Sequence, residues 1–315
     1  MDDIKTPHMD TPIKKEIVCF GEVLWDVFPS GKVPGGAPMN VAYHLHKQKR
    51  KVGVITKIGI DDDGKKLFNF FSKKGICTDY FQIDHKYDTG KVIAKTALDN
   101  ETIYDFKTPA AWDYILWDDA FEELMANARL FVFGSLATRG KTSASTLFRL
   151  LDLRPTGKVM DINLRSGFYS KEIIQTLLEK VDILKLNEAE LELITGWFSG
   201  YQSNEDRLRA LSDRFKIPTA VVTMGSNGAM LLKDGQIDTV AGLKVEVTDT
   251  VGAGDAFLAG FLSKLLPPHG SVEDTINPNP REALEFGNQL GAFVATQRGS
   301  CPNYEIEELQ SRFKN

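Results

Sequence analysis

Short apolar runs rich in β-branched and aromatic residues alternate with segments whose apolar positions recur every three or four residues, and this alternation leaves few folds open. The runs at 17–24, 52–58, 92–98, 130–133, 158–162, 183–186 and 220–224 read as strands. Between them, 120–128, 143–153, 170–180 and 206–215 read as helices packed on a surface. Such a chain predicts an α/β fold with a mainly parallel central sheet and helices on both faces, a three-layer α/β/α arrangement. One stretch breaks the alternation. Residues 88–105 read as two strands around Asp99, Asn100 and Glu101 with no helical pattern between them, as in a hairpin. A piece projecting from an open α/β sheet is well placed to cover a ligand at the strands' carboxyl ends, so it is read as part of a small β lid, with a simple surface hairpin as the alternative.

Composition narrows the function classes. The chain has 315 residues, 42% hydrophobic and 26% charged, enough for a sizeable core in one large α/β domain. A net charge of -5 argues against a nucleic-acid footprint, and the run Lys47, Lys49, Arg50 and Lys51 reads as a solvated helix end. Cys19, Cys77 and Cys301 are far apart and lack paired spacing, so neither a disulfide framework nor a zinc site is indicated, and a reducing, cytoplasmic setting is expected. Residues 1–16 lack an apolar core and are expected to form a flexible tail rather than a secretory signal or membrane anchor, with one domain over 17–315. No apolar run is long enough to span a bilayer, so no membrane association is expected.

The segment from Asp249 to Leu262, Asp-Thr-Val-Gly-Ala-Gly-Asp-Ala-Phe-Leu-Ala-Gly-Phe-Leu, carries most of the chemistry. It reads as a turn running into a helix. The small residues Gly252, Ala253 and Gly254 let the backbone approach a ligand closely, and unpaired amides at a helix start favour negative charge, which suits a phosphate. Asp255 has two readings. A first-turn aspartate favours the helix by about 0.3 to 1 kcal/mol through its macrodipole. Alternatively it is a general base that takes a proton from an acceptor hydroxyl while the turn amides stabilise a transferring phosphoryl group. Spacing alone does not separate the two.

This segment resembles the carboxyl-terminal signature of the ribokinase-like, PfkB-type carbohydrate kinases. The amino-terminal counterpart is also present: Gly35-Gly36-Ala37-Pro38-Met39-Asn40-Val41-Ala42 is similar to the family's Gly-Gly-x-x-x-Asn-x-Ala, and Gly59-Ile60-Asp61-Asp62-Asp63-Gly64 to its Gly-x-Asp-x-x-Gly. Lys49 stands where the family usually has Gly or Ser after the helix, a departure expected to distort or extend that helix end. The resemblance implies a ribokinase-like fold with a β lid formed by segments near 24–40 and 88–108.

It also implies roles. Asp255 would be the base, with Gly252, Ala253 and Gly254 as the anion hole. Asn187 and Glu190 match an Asn-x-x-Glu motif whose Glu helps hold magnesium through water; read on their own, the two residues form a helix capping box. Thr223, Gly225 and Gly228 match a segment lying along the nucleotide, and Asn288 falls in a region bordering the adenine. Asp249, with backbone near Gly299, corresponds to a place where relatives hold a monovalent cation such as K+. For the acceptor, Asp26, taken as the end of the first strand, corresponds to a hydroxyl-binding aspartate, and Gly36 and Asn40 line the same pocket in relatives. A carboxylate accepting from two adjacent hydroxyls suits a polyol.

The runs from Glu22 to Asp26, Asp161 to Arg165 and Ala110 to Asp113 look like the fructokinase branch. Asp-x-Asn-x-Arg also occurs in 2-keto-3-deoxygluconate kinases, whose lids usually carry a basic residue where Tyr104-Asp105-Phe106 stands here. The resemblance therefore implies ATP and Mg2+ as cofactors and a neutral ketose as substrate, with Tyr104 and Phe106 closing over the sugar, Arg165 meeting developing charge, and pairing of two copies through the lid. 2-Keto-3-deoxygluconate kinase and ribokinase are the near alternatives. A nicotinamide dehydrogenase is disfavoured because Gly21-Glu22-Val23 stands where a Gly-x-Gly-x-x-Gly turn would follow the first strand. A non-catalytic nucleotide or sugar sensor is disfavoured by the retention of Asp255 within the whole glycine turn.

Overall fold

The computed structural model describes residues 14–29, 31–96, 102–153, 156–266 and 279–313. In chain order, β1 (Ile17–Phe20) leads into a hairpin of β2 (Leu24–Phe28) and β3 (Gly31–Gly35), followed by α1 (Ala37–Lys47), β4 (Val52–Gly59), α2 (Asp62–Lys73) and β5 (Phe81–Asp84). A second hairpin, β6 (Gly90–Thr96) and β7 (Thr102–Phe106), precedes α3 (Ala120–Asn127), β8 (Leu130–Gly134), α4 (Lys141–Leu151), β9 (Gly157–Asp161) and α5 (Lys171–Leu178). The chain continues through β10 (Ile183–Asn187), α6 (Glu188–Gly196), α7 (Asn204–Phe215), β11 (Thr219–Thr223), β12 (Ala229–Lys233) and β13 (Gln236–Val240). It closes with α8 (Ala253–Leu265), α9 (Pro280–Ala295) and α10 (Ile306–Arg312).

The large sheet has the order β13-β12-β11-β10-β9-β8-β1-β4-β5 and is parallel except for the antiparallel edge formed by β12 and β13. β1 is buried along its whole length, and its side chains divide between two cores. Ile17 and Cys19 pack with residues of α1, α8 and α9, whereas Val18 and Phe20 pack with residues of α3 to α7. That division is the three-layer arrangement expected of a parallel sheet covered on both faces.

The sequence reading of 17–24 as one strand is corrected. The strand ends at Phe20, Gly21 takes a φ of 141°, and Leu24 begins a strand in a different sheet. This second sheet has the order β3-β2-β6-β7 and is built from segments at 24–35 and 90–106. Asp26 therefore lies in mid-β2, paired with Val33, and not at the end of β1. The tip of the predicted hairpin, Asp99 to Glu101, lies outside the described residues.

The small sheet is tied to the body through the start of α2. Asp61 caps that helix by accepting from Gly64 N at 2.7 Å, and it also accepts from Thr89 N at 2.9 Å and Thr89 Oγ1 at 2.6 Å. Lys91 of β6 pairs with Asp63 at 2.8 Å, Lys32 of β3 pairs with the same carboxylate, and Trp25 Nε1 donates to the Asp63 carbonyl at 3.1 Å. The Gly59–Gly64 motif is thus the anchor of the small sheet.

Of the expected tail at 1–16, residues 1–13 lie outside the described part, while Glu16 belongs to the folded body. Its carboxylate pairs with Arg50 at 2.9 Å and its amide donates to the Lys51 carbonyl. The departure at Lys49 also has a physical outcome. Arg50 N bonds the Leu45 carbonyl at 3.1 Å and Lys49 N bonds the His46 carbonyl at 2.8 Å, which is the Schellman closure of α1. Lys49 takes the left-handed conformation that glycine would fill, with φ of 61°. The helix end is neither distorted nor extended; the cost sits in one residue's backbone.

Candidate active site

Two cavities meet at the carboxyl ends of the parallel strands, where open α/β sheets present ligand sites. The first, about 360 Å³, lies between the small sheet and the body and is lined by Glu22, Asp26, Gly36, Asn40, Phe106, Asn163, Arg165, Lys185, Asn187 and Asp255, among others. The second, about 490 Å³, lies beside β11 and α9, between Gly225, Gly228 and Asn288 and an apolar wall of Leu243, Val245, Val247 and Phe257. Thr223, Thr250 and Gly254 line both. The glycine turn is therefore the partition between them.

That turn forms because Gly252 takes a left-handed φ of 78° at the N-cap of α8 and packs against Ser300, where a Cβ would collide. No side chain caps the helix; Ala253 N donates to the Thr250 carbonyl at 3.2 Å, which leaves the amides of Gly254 and Asp255 available to a ligand. Asp255, in the first turn, lines the first cavity. Burial pushes its carboxyl up to about 6, Asp161 adds to the rise, and Lys185, the bond from Asn40 and Arg165 oppose it.

Asn40 Nδ2 donates to Asp255 Oδ2 at 2.8 Å. The amide is oriented from its other end, since Asn40 Oδ1 accepts from Ser300 Oγ at 2.9 Å. Behind Ser300, the buried His44 approaches the Ser300 carbonyl at 2.9 Å through Nε2 and the Tyr304 hydroxyl at 3.0 Å through Nδ1. A carbonyl only accepts, so Nε2 carries the proton and Tyr304 donates to Nδ1. Burial pushes His44 down to about 4, which keeps that arrangement neutral. The part of this chain behind Asn40, formed by Ser300, His44 and Tyr304, has no sequence signal, because its members come from α1 and the segment after α9.

Lys185 was also missed. It sits on β10 with Nζ 2.9 and 3.0 Å from the two Asp161 oxygens, and a Cβ at Gly254 would lie 3.0 Å from that ammonium. Burial opposes its charge, but Asp161, Asp255 and Glu190 together hold its pKa above the ordinary value. A lysine inside an apolar strand, opposite an aspartate on the neighbouring strand, was the available signal.

The other expected residues fall into groups. Asp26, Gly36, Asn40, Phe106, Arg165 and Asn187 line the first cavity, and Gly225, Gly228, Ala253 and Asn288 the second. Burial, with the charge of Asp255, raises Asp26 to about 6. Phe106 packs edge-on against Phe168 at 5.4 Å, while the Tyr104 side chain lies outside the described residues. Glu190 and Asp249 line neither cavity. Glu190 accepts from Asn187 N at 2.9 Å and from Leu164 N at 2.8 Å, and Asn187 Oδ1 accepts from Glu190 N, so the capping box is formed. Asp249 accepts from Val251 N at 3.0 Å and Gly299 N at 3.1 Å, which fixes the entrance to the glycine turn.

Among the described residues no three His, Cys, Asp or Glu side chains converge to hold a metal ion, and no helix is long and apolar enough to cross a membrane.

The sequence profile of the pfkB family carbohydrate kinases matches residues 9–307. Curated relatives include a probable fructokinase-7 of Arabidopsis thaliana, 29% identical over 91% of this chain and 88% of its own. A probable chloroplastic fructokinase-6 of the same plant is 30% identical over 93% and 80%. Among solved structures, a fructokinase from Xylella fastidiosa with bound ATP superimposes with a TM-score of 0.83 at 23% identity, covering 95% of this chain and 99% of that one. A Vibrio cholerae O395 fructokinase variant holding fructose, ADP and potassium gives 0.81 at 22% identity, with 95% and 98% covered. At such identities these structures carry the fold, a ribokinase-like α/β body with a smaller sheet.

Proposed function

This chain belongs to the pfkB family of carbohydrate kinases, and is a phosphotransferase acting on a sugar hydroxyl; from that premise we propose that it is a fructokinase, carrying the γ-phosphoryl group of ATP to the 6-hydroxyl of D-fructose. The observation that carries this reading is the shared wall of the two cavities. A nucleotide in the second cavity and a polyol in the first would face each other across Thr223, Thr250 and Gly254, with Asp255 beside them. The curated relatives named fructokinase support the choice of sugar.

In this reading the acceptor hydroxyl gives its proton to Asp255 as its oxygen attacks in line. Asn40 fixes the carboxylate's orientation, and the amides of Gly254 and Asp255, with Lys185 behind Gly254, balance charge on the phosphoryl group. Asp26 orients the sugar. Arg165 Nη1 has one protein bond, to the Leu164 carbonyl at 3.2 Å, so the guanidinium is available to the cavity. Closure of the small sheet over the sugar would exclude water that otherwise hydrolyses ATP.

Mg2+ would lower the charge of the triphosphate. The donor set fits an ion brought in on the nucleotide, because Mg2+ keeps several waters and takes few carboxylates. Each Glu190 oxygen keeps a second lone pair after its amide bond, which suits holding a metal-bound water. We extend the proposal to a potassium ion near Asp249, as potassium is present in the Vibrio cholerae structure.

The test is ADP release across fructose, ribose, tagatose, 2-keto-3-deoxygluconate and nucleosides, with and without Mg2+ and K+. Fructose should give the highest kcat/KM. Preference for 2-keto-3-deoxygluconate would reassign Arg165 to a substrate carboxylate, and release that no sugar stimulates would defeat the reading.

A further inference from the structure

Glu22 occupies the short link between β1 and β2, 4% exposed, on the wall of the first cavity. Its Oε1 accepts from Ala37 N at 3.1 Å, the first amide of α1. That bond alone would make it a helix cap at a distance, needed because a Cβ at Gly36, the N-cap, would collide with the Glu22 carbonyl. Its other oxygen is different. Glu22 Oε2 is buried and has no hydrogen-bond partner. The other two such atoms among the described residues, Glu16 Oε2 and Arg139 Nη1, belong to residues that line neither cavity.

Leaving a buried acceptor unpaired costs about 1–3 kcal/mol, and one on a residue that lines a ligand cavity is explained when a ligand completes it. Asp26 and Asn40 line the same cavity, so a polyol seated there meets several oxygen-rich side chains at once. We propose that Glu22 Oε2 binds one hydroxyl of the acceptor sugar and sets the preference for substrates that carry it. Burial pushes this carboxyl up to about 7, and near neutral pH it is able either to donate or to accept, as a hydroxyl partner is. The inference rests on the sugar-kinase reading of the cavity and adds a recognition residue to it.

The test uses D-fructose and its 1-, 3- and 4-monodeoxy analogues with the wild-type enzyme, Glu22→Ala and Glu22→Gln. Wild type should lose at least about tenfold in kcat/KM on one analogue, since a site built to bond a hydroxyl rejects the compound lacking it. Glu22→Ala should lose a similar factor on fructose, lose little more on that one analogue, and leave the KM for ATP within about twofold. Glu22→Gln retains an oxygen for Ala37 N and should show the same selective loss. Equal losses by both variants on every analogue would overturn the inference and leave Glu22 as a cap of α1. So would a wild-type enzyme that treats all three analogues within about threefold of fructose, whatever the variants' folding. If wild type phosphorylates no sugar, the reading of the cavity fails and this inference fails with it.

Discussion

Asn40 and Asp255 lie 215 positions apart in the chain and are joined by one hydrogen bond of 2.8 Å, the amide of α1 donating to the carboxylate of α8. The bond links the amino-terminal glycine motif to the carboxyl-terminal one, and it determines which way the carboxylate faces. Removing each partner should therefore have distinct effects. Asp255→Ala should lower kcat by about 10² to 10⁴, the range for a positioned base, while calorimetric ATP binding persists. Asn40→Ala should lower kcat by roughly tenfold, the equivalent of one hydrogen bond. A kcat within twofold of wild type in the first variant would remove Asp255 from the chemistry.

The protonation of Asp255 gives a pH signature. With its carboxyl near 6, the base is charged above that pH, and kcat/KM should fall about tenfold per unit below it. Arg165 holds Glu22, Asp26 and Asp255 down, so Arg165→Met should raise all three and move the acid limb to higher pH. An acid limb that stays in place would show that Arg165 does not face these carboxylates in the working enzyme.

Asp161 and Lys185 form a buried pair beside the glycine turn, and single and double variants separate its structural and chemical parts. Lys185→Met leaves an uncompensated buried carboxylate and should cost about 3–5 kcal/mol in a denaturation experiment. Adding Asp161→Leu should recover most of that stability, because a well-packed apolar pair often replaces a buried ion pair without loss. Turnover should stay low in the double variant. Recovery of both stability and activity would confine the pair to packing.

Lys49→Gly should stabilise the protein by about 0.5–1 kcal/mol, seen as a Tm rise of about 1–3 °C, with kinetics unchanged. The gain is smaller than the left-handed penalty because glycine also gives the unfolded chain more freedom. No gain in Tm would mean that the Schellman closure holds Lys49 in that conformation at little cost.

The parallel sheet, its helices and the glycine turn were legible in the sequence because each is specified locally, by hydrophobic period and by residues such as Gly252 that alone tolerate the backbone required. The β1 reading overran by four residues because Val23 and Leu24 resume an apolar run after Gly21 and Glu22, and nothing local records that the chain has changed sheets. Glu190 and Asp249 stand out in the sequence through their motifs, but only their bonds reveal which backbone amides each carboxylate holds. Glu22, Lys185, Ser300 and His44 could not be found by spacing. Their significance lies in distances between segments far apart in the chain, in one unpaired oxygen, and in the exclusion of water around them. Those quantities come into existence only when the two cores close over the sheet, and so the tertiary structure alone decided them.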